Sequence, residues 1–127
     1  MITPNISLNN KTVFVTGAAG FIGANLVTEL IKTVQNIHIV GIDSMNDYYD
    51  VSIKDYRLEK INELAAKTGV KWDFVKGNIA DKGLIDKIFA DYKPAVVVNL
   101  AAQAGVRYSI TNPAAYIEAN MVGFYNI

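Results

Sequence analysis

Thr16-Gly17-Ala18-Ala19-Gly20-Phe21-Ile22-Gly23 is the stretch on which the reading of this sequence turns. Just before it, Thr12-Val13-Phe14-Val15-Thr16 has the β-branched and aromatic composition of a buried strand. Just after it, Ile22, Leu26, Leu30 and Val34 recur every fourth position with Val27 and Ile31 beside them, which makes one apolar helix face. The glycines therefore occupy a strand-to-helix turn. A pyrophosphate placed there receives backbone N–H groups and the positive end of the helix dipole. Gly17 allows the tight turn, Gly20 removes a Cβ where phosphates approach, and Gly23 lets the helix pack closely. The spacing G-x-x-G-x-x-G is one residue wider at its first glycine than the usual dinucleotide fingerprint. Such glycines also serve simply to turn a chain, so the triplet alone is weak evidence.

Working outward, Ile37 to Ile42 reads as a second strand, closed by Asp43 twenty residues after Gly23. A carboxylate at that distance accepts the ribose hydroxyls of an adenosine and repels a 2′-phosphate. Residues 42–49 hold no Lys or Arg to offset that repulsion, which favours NAD over NADP. A capping role for Asp43 is the plainer alternative. Residues 44–52 are polar and irregular, hence a loop, in which Tyr48 and Tyr49 either cover the adenosine or anchor the surface.

The pattern then repeats. A second helix runs from about Ile53 to Lys67, burying Leu58, Ile61, Leu64 and Ala65, with Gly69 placed for a left-handed cap. Val70 to Lys76 is a third strand. Asp81 caps a third helix whose apolar face is Leu84, Ile85, Ile88, Phe89 and Tyr92. After Pro94, Ala95 to Leu100 is a fourth strand, apolar on both faces, and Pro113 opens a fourth helix that continues to Ile127. Alternating strands and helices with apolar strands predict an α/β fold of Rossmann type. It is a doubly wound parallel sheet of order 3-2-1-4, forming one dinucleotide-binding domain over residues 1–127.

Composition narrows the function classes. Twelve basic and twelve acidic side chains cancel, so no bulk field recruits nucleic acid or an anionic membrane. Cysteine is absent, which removes disulfides and thiolate metal sites. No secretory leader and no apolar run long enough for a membrane span is expected, so the expected location is cytoplasmic. No G-x-x-x-x-G-K-[ST] occurs, which leaves a P-loop hydrolase unsupported. Methyltransferases using S-adenosylmethionine share a glycine turn and an acidic residue after the second strand, and remain a rival on these residues alone.

Taken with TGAAGFIG, the later segments GIDSMNDYYDV, LAAQAGVRYS and PAAYIEANMVG resemble the extended short-chain dehydrogenase/reductase family. Asn46-Asp47-Tyr48-Tyr49-Asp50 and Ala104-Gly105-Val106-Arg107-Tyr108-Ser109 look more narrowly like NAD-dependent nucleotide-sugar 4-epimerases acting on UDP-glucuronate. The resemblance implies that Gly17, Gly20, Phe21, Ile22 and Gly23 meet the pyrophosphate, and that Asp43, Ser44 and Asn46 form the ribose pocket. It further implies that Asn78 and Ile79 border adenine, that Leu100, Ala101 and Ala102 line the path to nicotinamide, and that Asn120 sits near its end. Arg107 is implied as a contact for the UDP-sugar. Many relatives carry aspartate where this chain has Asn78, whose uncharged amide accepts from adenine more weakly.

Family chemistry uses a Tyr-x-x-x-Lys pair as acid–base. Tyr56-Arg57-Leu58-Glu59-Lys60 has that spacing but lies on the helix after strand two, which is the wrong helix. No catalytic residue is therefore assigned within the chain, and the pair is expected beyond Ile127, together with a substrate domain. The parent is expected to be an isomerase that removes a hydride from the sugar's C4 and returns it to the other face. This chain alone is expected to be inactive and to self-associate through strand four or the last helix. The same fold from a sugar-nucleotide dehydratase or decarboxylase, and a non-catalytic dinucleotide-sensing module, are the alternatives. His38 is read as a packed or edge residue, Glu59 and Glu63 as surface partners for lysines, and Tyr116 as core.

Overall fold

The structure, a computed structural model, describes residues 6–47 and 50–127; Tyr48 and Tyr49 fall outside them. The elements are β1 (Thr12–Thr16), α1 (Phe21–Thr33), β2 (His38–Asp43), α2 (Val51–Thr68), β3 (Lys71–Lys76), α3 (Lys82–Tyr92), β4 (Val96–Asn99) and α4 (Val106–Thr111). A last helical stretch begins as α5 (Pro113–Ile117), passes through a π-type segment (Glu118–Gly123) and ends as α6 (Phe124–Asn126).

The strands form a parallel sheet in the order β3-β2-β1-β4, the expected doubly wound arrangement. Its registers put Phe14 beside Val40 on one flank and Val97 on the other. Alternation along β1 sends Val13 and Val15 to one face, where they pack with Ile39, Val27, Ile31 and Ile61 from β2, α1 and α2. Phe14, Val40 and Ile42 face the opposite layer with Ile85 and Ile88 of α3. Both faces are thus covered, as apolar strands require. Each such fully buried side chain contributes about 1.5–3 kcal/mol through the water it no longer contacts.

Element ends differ from expectation where local hydrogen bonds decide them. The second helix starts at Val51 and not Ile53, because the Asp50 carboxylate accepts from the Ser52 N–H at 2.9 Å and caps it. The second strand runs one residue later, taking in Asp43 itself. Helix α4 was not expected; it is short and buries no residue, so it leaves no apolar period to read. Pro113 does open a helix, with Asn112 as its cap, but the π-type widening is unmarked by composition. Tyr116 is half-buried and not core. Its hydroxyl donates to the Ala104 and Gly105 carbonyls, and its ring lies 6.2 Å from that of Tyr108.

Candidate functional site

The carboxyl ends of β1, β2 and β4 open on one cavity of about 410 Å³, within the usual range for small-molecule sites. It lies where the strand order reverses between β1 and β4, the position at which open α/β sheets bind ligands. Gly17, Gly20, Asp43, Ser44, Asn46, Asn78, Ile79, Leu100, Ala101 and Ala102 all line it. Phe21, Ile22, Gly23, Arg107 and Asn120 do not.

The glycine turn is built as the spacing suggests, with one change of role. Gly17 has φ +67°, a left-handed conformation, and a Cβ there meets the Leu100–Ala101 backbone at 3.0 Å. Gly23 is buried. A Cβ on it lies 2.1 Å from the Gly17 carbonyl oxygen, so it seats α1 on the turn itself and not on the sheet. Gly20 precedes α1 without a side-chain cap, and no acidic residue occupies the first turn. The first-turn amides of α1, including those of Phe21 and Ile22, therefore lack intrahelical acceptors at its positive end. The side chains of Phe21 and Ile22 are exposed; only their backbone faces the turn.

Asp43 sits deep at the end of β2, 6% exposed. Its Oδ2 accepts from the Ala19 N–H at 3.1 Å and its Oδ1 from the Met45 N–H at 2.9 Å. The Lys54 ammonium, itself buried, donates to the same Oδ1 at 2.9 Å. Lys54 lies eleven positions beyond Asp43, past the cation-free stretch 42–49, and α2 brings it in. One turn further on, Arg57 donates to the Ala19 carbonyl at 3.1 Å and stacks over the Phe21 ring.

Directly before the glycine turn, Thr16 ties β1 to β4. Its hydroxyl donates to Asn99 Oδ1 and accepts from the N–H groups of Leu100 and Ala101 at 2.9 and 3.0 Å. Neither Thr16 nor Asn99 stands out in the sequence as a site residue. Their only signal is that both are polar at the ends of apolar strands.

The remaining positions are divided. Asn78 donates to Glu118 at 3.0 Å and accepts from the Ala80 N–H at 2.9 Å, so part of its amide is already engaged. Glu118, on the π-type segment, also lines the cavity. Asn120 accepts from the Gln103 N–H at 2.8 Å and donates to the Gln103 carbonyl at 3.2 Å. It pins the loop after β4. Asn46 donates to Gln103 Oε1 at 3.4 Å. Arg107 is exposed on α4.

Tyr56 and Lys60 lie on the outer side of α2, with the ammonium 5.3 Å from the ring centroid, and neither lines the cavity. Among the described residues no cluster of three or more His, Cys, Asp or Glu is placed to hold a metal. No helix among them is long and apolar enough to cross a membrane.

Comparison with known proteins bears on the same residues. The family described as GDP-mannose 4,6 dehydratase matches residues 14–127. Protein CapI of Staphylococcus aureus is 49% identical over 115 residues, which are 91% of this chain and 32% of that protein. UDP-glucuronate 4-epimerase 4 of Arabidopsis thaliana is 40% identical over 119 residues, 94% of this chain and 25% of that one. Among solved structures, the UDP-glucuronic acid 4-epimerase from Bacillus cereus, in complex with UDP-glucuronic acid and NAD, gives a TM-score of 0.75 at 29% identity. The match covers 91% of this chain and 34% of that chain. The chain thus spans a quarter to a third of the length of the curated relatives it matches.

Proposed function

The chain belongs to the GDP-mannose 4,6 dehydratase family, and from that premise we propose that it is the NAD-binding, N-terminal portion of a nucleotide-sugar 4-epimerase of the UDP-glucuronate/UDP-galacturonate type. The observation that carries the reading is the pairing, on one cavity wall, of the left-handed Gly17 turn with the Asp43 carboxylate. The cavity fits the cofactor chemically. Uncapped first-turn amides of α1 receive a diphosphate, and Asp43 accepts a ribose diol beside them. Ser44 and Asn46 extend the ribose wall, Ile79 and Asn78 border the base, and Leu100 to Ala102 wall the path toward the sugar. Asn120 acts by holding the Gln103 backbone. Arg107 remains the candidate contact for the UDP-sugar.

When bound, NAD supplies a reversible hydride acceptor. This chain's own residues bind and orient it; the acid–base that moves the sugar proton is assigned to sequence beyond Ile127. Support for the glucuronate type comes from the Arabidopsis and Bacillus relatives, which are named as UDP-glucuronate 4-epimerases. The family's own description keeps a dehydratase as the second reading.

Titration with NAD tests the first part. Asp43→Ala is expected to weaken binding at least about tenfold, the loss of a charge-assisted hydrogen bond. Unchanged affinity overturns the assignment. UDP-galacturonate formed from UDP-glucuronate by this chain alone overturns its predicted inactivity.

A further inference from the structure

The turn after β3 is fastened to the last helical stretch at three points. The Asn78 carboxamide oxygen accepts from the Ala80 N–H at 2.9 Å, which orients the side chain, and its NH2 group donates to Glu118 Oε1 at 3.0 Å. Asn126 donates to the Ile79 carbonyl at 2.9 Å. Gly123 comes so close that a Cβ on it would lie 2.4 Å from Ile79 Cγ1. Glu118 is thereby fixed beside Asn78 and Ile79, and all three line the cavity. Of the three, Glu118 alone carries a charge. Its bond to Asn78 uses Oε1 and leaves Oε2 as an acceptor, while Asn78 keeps a second amide hydrogen. An acceptor next to a donor is the complement of adenine, whose 6-amino group donates while the adjacent ring nitrogen accepts. A 6-oxo purine such as hypoxanthine turns a carbonyl oxygen toward the same carboxylate, lone pair against lone pair.

Resting on the NAD-site reading above, we propose that Glu118 selects the base of the cofactor: its carboxylate accepts from the exocyclic amino group of adenine, and Asn78, held by Ala80 and Glu118, offers its second amide hydrogen to the neighbouring ring nitrogen. The charge on Glu118 strengthens the amino contact beyond what a neutral acceptor gives. A 6-oxo base forfeits that bond and leaves the carboxylate facing another acceptor, the kind of mismatch that discriminates more sharply than a change of shape. Both side chains are exposed, so water softens the penalty and the preference is set at about tenfold and not at the far larger ratios of buried sites. Glu118 is thus a specificity-determining residue, and Asn78 positions it.

The experiment is a pair of binding titrations on the 127-residue chain and its variants, with NAD and with nicotinamide hypoxanthine dinucleotide, which differs only in the base. The wild type is expected to bind NAD at least about tenfold more tightly than the hypoxanthine analogue. Glu118→Gln should bring the two within about threefold, because an amide can turn to donate to a carbonyl oxygen as readily as it accepts from an amino group. NAD should weaken and the analogue should not. If Glu118→Gln weakens both dinucleotides by one common factor, Glu118 merely fastens the helical stretch to Asn78, and the proposal is overturned while the NAD site stands. A wild type without preference, or a preference that Glu118→Gln leaves intact, overturns it equally. If the wild type binds neither dinucleotide, the reading of the site falls and takes this proposal with it. Should Glu118→Gln fail to fold, Glu118→Ala removes the same carboxylate and should also lose the preference; a ratio kept at the wild-type value overturns the proposal.

Discussion

Thr16 shows how a single hydroxyl organises this site. It is fully buried and serves Asn99, Leu100 and Ala101 at once. Thr16→Val keeps the shape and the β-branching but leaves two amides without their acceptor. The expected cost is about 1–3 kcal/mol, read from chemical denaturation, together with weaker NAD binding; a loss well under about 1 kcal/mol would show that water replaces the hydroxyl freely. At this scale the sequence was readable wherever backbone conformation dictated the residue. Gly17 and Gly23 are such positions, since neither tolerates a Cβ. It was silent wherever a side chain acts across the sheet. Thr16 reaches a loop 84 residues on, and Lys54 returns to Asp43 from a helix, contacts that no local spacing encodes.

Among the elements, α2 matters beyond its packing because it delivers Lys54 and Arg57 to the turn. Its start rests on Asp50, whose carboxyl is held below the ordinary aspartate value by the Ser52 backbone N–H and then by the Ser52 side chain. A depressed carboxyl contributes stability that is complete above its unfolded value and is lost as the pH falls through its folded value. The difference in Tm between wild type and Asp50→Ala should therefore be present near neutral pH and close as the solution is acidified. A difference constant into strong acid would remove the carboxylate from the account. Strands and long helices were legible because period and burial agree along them. The π-type segment was not, since nothing in the residue types of Glu118–Gly123 marks a wider turn, and Glu118 at its start lines the cavity.

For the whole molecule, the two margins of the sheet are unlike. β3 carries Lys71, Asp73 and Lys76, charges that discourage edge pairing, whereas β4 presents Val96-Val97-Val98. Ile117, Met121 and Phe124 are exposed nearby in sequence. The chain is expected to self-associate, with sedimentation showing species larger than monomer as concentration rises. Phe124→Lys should restore the monomer if the helix face carries the contact and leave association intact if the strand edge does. A monomer at all concentrations would sink both.

The hydroxyl of Thr16 also has a mechanical meaning. It works as a hinge pin between two strips of chain flanking the crevice, the phosphate-side turn and the ribbon after β4. Parting the two strips means breaking at least one of these bonds, so the lips of the crevice are stapled together at their root.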